Sequence, residues 1–230
     1  MNIPSHITHL EDQRRSDSPQ LWMAGCSITH GVGVAESQRY GELLKQRLGL
    51  ETSWLSRPGS STMYHADQII RSDIREHDIV VWGLTEPVRY FVYQEDARLD
   101  IGPGYISTVR LDVETTLEDA LNNPPGTREL ERIVSCDSVY QSVNHVLQVK
   151  NYCSKINCRL ILVDFFKTEF YDYFQDWPNY LRLINVEKAM SPHPRDHCLP
   201  FFDSATDPWH PGPVTHKWYA DNIYSKFFTN

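Results

Sequence analysis

The chain alternates short, continuous apolar runs with longer segments whose apolar residues recur every three or four positions. Residues 21–24, 52–55, 78–83 and 159–164 have strand length. The runs at 78–83 and 159–164 have the unbroken aliphatic character of strands buried on both faces. Residues 37–48 carry Tyr40, Leu43, Leu44 and Leu48 at helical spacing and stop at Gly49, a residue that commonly ends helices. Residues 64–75 read as a helix. Residues 129–154 read as a long one, with Leu130, Ile133, Val134, Val139, Val143, Val146, Leu147 and Val149 as its apolar positions. Residues 214–228 close the chain with Trp218, Tyr219, Ile223 and Phe227 at helical spacing.

Strands that alternate with helices need crossover connections. The pattern therefore predicts an α/β fold, a parallel sheet with helices on both faces. Ligands bind such sheets beyond the carboxyl ends of the strands. Ser27, Gly59 and Thr85 follow the first three strands and converge on that edge. Residues 88–123 and 167–200 break the alternation and read as insertions. Both leave the sheet at the edge of the site, so they either shape a pocket or cover the core. The aromatic residues over 165–180 either stack on sugar rings or fill a core beneath the second insertion.

Composition narrows the class. The 230 residues suit one domain, expected over 21–230 after a polar arm at 1–20. The arm lacks the apolar centre of a secretory signal, and no run approaches the roughly 18 apolar residues of a membrane span. A cytoplasmic location is the expectation. The net charge of −8 argues against nucleic acid as a partner, because phosphate binding needs a basic face. Cys26, Cys136, Cys153, Cys158 and Cys198 are odd in number and fit no disulfide framework or zinc spacing; they read as free thiols. Pro192 and Pro194 make the segment holding His193, His197 and Cys198 a loop rather than a metal site. Gly31-Val32-Gly33 is not a dinucleotide fingerprint, since Glu36 stands at the third glycine position. His30 either lines the pocket or, as the simpler reading, is a solvent-facing loop residue.

The chemistry concentrates in two short stretches, Gly25-Cys26-Ser27 near one end and Asp207-Pro208-Trp209-His210 near the other. A hydroxyl becomes a nucleophile only when a base takes its proton. His210 can supply that base, with Asp207 three residues earlier to hold the imidazole at Nδ1 and leave Nε2 for Ser27. The oxyanion then needs fixed donors. The N–H groups of Ser27 and Gly59 and the Thr85 hydroxyl are the candidates. Each residue also has a plain structural reading: Ser27 as a helix cap, Gly59 as a turn glycine, Asp207 and His210 as the start of the last helix.

In this order, the blocks Gly25-Cys26-Ser27, Gly59, Gly83-Leu84-Thr85 and Asp207-x-x-His210 resemble those of the SGNH, or GDSL-type, hydrolases. The resemblance spans residues 21 to 228 through short motifs only. It implies a flavodoxin-like three-layer α/β/α sandwich with about five parallel strands. It implies acyl-ester hydrolysis without a metal or organic cofactor, by Ser27, Asp207 and His210, with Ser27, Gly59 and Thr85 at the oxyanion. Acetylated carbohydrate is the favoured substrate class. Cys26 replaces the family aspartate at a packing position. Thr85 replaces the family asparagine, a longer and fixed donor, and such a loss costs on the order of 10²–10³ in rate. A weaker likeness is to divergent SGNH-like proteins of tailed phages, which implies a virion part that trims host glycans. Two functions stay open: a serine esterase, or a carbohydrate-binding or virion module that keeps the fold without turnover. Oligomeric assembly is open as well.

Overall fold

A computed structural model describes residues 17–85, 126–165, 202–208 and 210–229, with the side chains of 126–139 and 164 left aside. The insertions expected at 88–123 and 167–200 lie outside the described residues, as do His193, His197, Cys198, the Cys136 side chain, the aromatics beyond Phe165 and most of the expected arm. The elements in chain order are β1 (Gln20–Ala24), α1 (Ser27–His30), a 3₁₀ turn (Glu36–Gln38), α2 (Tyr40–Leu48), β2 (Glu51–Trp54), α3 (Thr62–Arg71), β3 (Ile79–Leu84), α4 (Gly126–Lys155), β4 (Arg159–Asp164) and α5 (Pro213–Phe228).

The strands form one sheet in the order β2-β1-β3-β4, every neighbouring pair parallel. The described residues supply four strands of the roughly five expected. Side chains alternate across a strand, and here the alternation divides the core in two. Trp22, Ala24, Val80, Trp82, Leu84 and Leu162 pack with Ala66 and Ile69 of α3 and Val143, Val146 and Val149 of α4. Leu21, Met23, Val81, Ile161 and Val163 pack on the other face with Tyr40 and Leu44 of α2 and Tyr219, Ala220 and Ile223 of α5. The result is the three-layer α/β/α sandwich that the pattern predicts. β1 is buried along its whole length, which explains its apolar run at the centre of the sheet.

Several boundaries differ from expectation for local reasons. Gln20 belongs to β1 rather than to an arm: it is buried and pairs with Glu51. Residues 37–48 split in two because Arg39 is extended (ψ 139°), so α2 begins at Tyr40. Gly49 ends α2 in the left-handed conformation (φ 66°), its N–H bonded to Lys45 O. Helix α3 starts earlier than expected, capped by Ser61, whose hydroxyl accepts from Tyr64 N.

Candidate active site

The carboxyl edge of the sheet gathers the sequence motifs. Gly25 ends β1 at φ +150°, and a Cβ there would overlap Thr29 and the Gly83 carbonyl. Gly83 in β3 is equally closed, against Thr29 and Phe165. The glycines of two motifs thus let the ends of β1 and β3 meet over the first turn of α1. Ser27 is the first residue of that turn and is partly buried, with Cys26 buried before it. Helix α1 has only four residues and closes at Gly31 (φ 74°), whose N–H reaches Ser27 O and Ile28 O.

The second motif is adjacent. Arg57 N donates to Gly25 O at 2.9 Å, tying the segment after β2 to the serine turn. Arg57-Pro58-Gly59-Ser60 is a tight turn closed by Ser60 N to Arg57 O at 3.3 Å, with Gly59 at φ 73°. Proline second, glycine third and a positive φ at the third position are the marks of a type II turn. The turn bond uses the Ser60 N–H. The Ser60 hydroxyl also bonds Arg57 O, and its oxygen lies 2.5 Å from His65 Nε2.

Thr85 follows β3 and is almost wholly buried. Its hydroxyl has no hydrogen-bond partner among the described residues. A buried polar atom in that state carries a real cost in free energy.

His210 and Asp207 sit together. The imidazole Nδ1 is 2.9 Å from both Asp207 oxygens, and the His210 N–H donates to Asp207 Oδ1 at 3.0 Å. Both side chains are partly exposed. Their loop is pinned at its base: Ser204 and Pro211 pair antiparallel, Ala205 N donates to His210 O, and Gly212 N to Asp203 O. Asp203 also caps α5 from outside the helix, accepting from Val214 N, Thr215 N and the Thr215 hydroxyl. Burial works against its charged form, but those bonds hold its carboxyl below the usual range. The loop meets the serine side through Thr206 N to Gly33 O at 3.2 Å.

The structure therefore unites Asp207 with His210 and brings the Ser27, Gly59 and Thr85 turns to one edge. It does not join Ser27 to His210 by a hydrogen bond; such contacts are often long in an empty site and tighten when substrate binds. His30 departs from the simpler reading. It ends α1 half-buried, its Nδ1 3.3 Å from Ser56 Oγ, and burial followed by the nearby Arg39 lowers its pKa. Sequence reasoning passed over Asp203, Ser60 and His65. Only the position of Asp203, four residues before Asp207, gave any hint. Cys26, Cys153 and Cys158 are free thiols, as expected. No group of three or more metal-ligating side chains occurs among the described residues, and no described helix is long and apolar enough to cross a membrane.

No protein-family model matches the sequence, and none of the curated proteins does. Solved structures do. A protein of the G-D-S-L family from Desulfitobacterium hafniense DCB-2 superposes with a TM-score of 0.54 at 10% identity, over 90% of this chain and 99% of that one. The fold is that of the SGNH hydrolases. An extracellular lipase from Streptomyces rimosus matches at TM-score 0.50 and 11% identity, over 90% of this chain and 99% of its own. A carbohydrate esterase family 2 enzyme with a carbohydrate binding domain, from Corynascus thermopiles (Myceliophthora fergusii), matches at TM-score 0.51 and 12% identity, over 92% of this chain. This SGNH-fold chain spans 64% to 67% of the length of the carbohydrate and acetyl xylan esterases that it resembles.

Proposed function

We propose that this chain is a serine esterase that cleaves small O-acyl esters, with O-acetylated carbohydrate as its substrate class. The observation that carries the reading is the His210 imidazole, held at Nδ1 by both Asp207 oxygens on the edge where the serine turn opens. The fold shared with a carbohydrate esterase and a lipase supports the same chemistry.

His210 Nε2 takes the Ser27 proton as Oγ bonds to the ester carbonyl carbon, and the carbonyl oxygen becomes an oxyanion. Asp207 keeps the other proton on Nδ1 and steadies the imidazolium. Ser27 N–H, Gly59 N–H and the Thr85 hydroxyl donate to the oxyanion. Collapse expels the sugar oxygen, which takes the proton from His210. Water, deprotonated by the same imidazole, then releases the acid and restores Ser27. The buried Thr85 hydroxyl, which has no partner among the described residues, gains one in the transition state, so its bond acts on kcat rather than on ground-state binding.

A fluorophosphonate should label the wild-type protein and not Ser27→Ala, and p-nitrophenyl acetate turnover should vanish with the label. Folded wild type that neither labels nor turns over would reject the esterase and leave the non-catalytic carbohydrate-binding module.

A further inference from the structure

Ser60 and His65 are a second serine–histidine contact, 2.5 Å long, beside the candidate oxyanion turn. They do not form a second nucleophile. Both are buried, His65 completely and Ser60 to 7% exposure. The protons also run the wrong way. Ser60 Oγ bonds the Arg57 carbonyl oxygen as well; a carbonyl only accepts, so the Ser60 hydrogen is committed there. The oxygen must then accept from the histidine, which places a proton on His65 Nε2.

The result is a directed chain: His65 Nε2–H to Ser60 Oγ–H to Arg57 O. Its last atom is the acceptor that closes the Arg57–Ser60 turn, the turn that carries the Gly59 N–H. The Arg57 N–H continues the path to Gly25 O at 2.9 Å, two residues before Ser27. The imidazole has little freedom of its own. It lies edge-on to Trp82 of β3, centroids 6.4 Å apart, and to Tyr64 at 5.7 Å. Packing from the sheet thus orients the ring, the ring orients the hydroxyl, and the hydroxyl fastens the turn.

We propose that His65 is a positioning residue for the oxyanion turn, acting through Ser60 to fix the Gly59 N–H. The inference rests on the assignment of Gly59 to the oxyanion in the esterase reading. A misplacement of about 1 Å at such a donor costs on the order of 10²-fold in rate, and the loss falls on the transition state.

The test compares His65→Leu, which fills the buried site without a donor, with His65→Gln, whose amide can reach the same hydroxyl. In His65→Leu, kcat on p-nitrophenyl acetate should fall by about 10²-fold with KM nearly unchanged, and His65→Gln should recover most of it. ¹⁵N NMR of the wild type should show His65 protonated at Nε2, with that proton shifted in Ser60→Ala. The Gly59 amide resonance should move in His65→Leu and return in His65→Gln. Equal kcat in wild type and His65→Leu, or losses that follow the folded fraction in both variants, would overturn the proposal. If the wild type shows no turnover, the esterase reading fails separately. The NMR arm then decides: an unmoved Gly59 amide overturns the positioning role.

Discussion

At the amino end of the sheet one buried carboxylate satisfies three donors, whereas at the carboxyl end a buried hydroxyl satisfies none. Asp78, just before β3, accepts from Gln20 N and Trp22 Nε1 of β1 and from Arg75 N, each at 2.9 Å. It fastens the starts of the two central strands and the turn before β3. Thr85, just after the same strand, is as deeply buried, and its hydroxyl has no partner among the described residues. Chains satisfy nearly all of their buried polar groups; Gln20 Nε2 and Thr52 Oγ1 near the amino end also lack a partner among the described residues, so the contrast is between the Asp78 carboxylate, finished as structure, and the Thr85 hydroxyl at the other end of β3, which is unfinished. Positive-φ residues occur at both ends, with Gly25, Gly31, Gly33 and Gly59 on the Thr85 side and Gly49, His77 and Asn157 just before β2, β3 and β4.

The contrast predicts that substitutions at the two ends separate activity from stability. The largest effect is expected from Ser27→Ala. Turnover should fall by about 10⁴-fold or more, while the unfolding free energy stays within about 0.5 kcal/mol of wild type, since Ser27 is partly exposed and makes no cap bond. Ester kinetics and urea unfolding on the same preparation measure both. A Ser27→Ala protein that loses stability and activity together would erase the distinction.

Asp78→Ala should do the reverse. It strands three donors at once, two of them buried, and a loss of about 4 kcal/mol follows from the usual cost of unpaired groups that had a charged partner. The protein that remains folded should still turn over at nearly the wild-type kcat. Urea unfolding combined with active-site titration separates the two quantities. A fall in kcat per titrated site would show that the amino end is coupled to the chemistry.

How much of this could be read from the chain depends on how local each cause is. β3 and β4 were legible because an unbroken aliphatic run has few alternatives to a buried strand. The Asp207–His210 pair was legible because three residues of separation suffice for the contact. Helix α1 was not, since four residues show no period and its end is made by Gly31. Asp203 was not, because its partners Val214 and Thr215 are met only through a fold-dependent loop, at a helix whose own cap position is Gly212. His65 was not, because a histidine on the buried face of α3 has no signature until Ser60 is seen against it.

Thr85 gives a smaller and more pointed effect at the unfinished end. Thr85→Val keeps the shape and removes the donor, so kcat should drop by about 10²-fold. Stability should hold or rise slightly, because a buried hydroxyl with no partner among the described residues disappears. Thr85→Asn restores the donor type that the SGNH resemblance implies for this position and tests whether the pocket accepts its length. If Thr85→Val matches wild type in kcat, the hydroxyl is an unsatisfied group without function and the contrast loses its sharpest member.

The smallest effect concerns pH, at the junction between the site and the core. His216 of α5 is fully buried, stacks on Tyr40 and accepts from Tyr40 N at Nδ1. Burial lowers its pKa to about 4; Asp203 opposes that shift, and Arg39 and His210 add to it. An unfolded histidine takes its proton near pH 6.5. Between these values the unfolded chain binds the extra proton, so the contribution of His216 is complete above about pH 6.5 and is lost as pH falls toward 4. Linkage gives a loss of about 2 kcal/mol between pH 7 and pH 5. His216→Asn keeps an acceptor for Tyr40 and does not titrate, so urea unfolding across that range should show a shallower slope than wild type. Identical slopes would assign the acid sensitivity elsewhere and leave His216 as packing alone. A shallower slope with unchanged kcat would place the boundary between the finished and unfinished ends of the sheet between His216 and His210, within the first turn of α5.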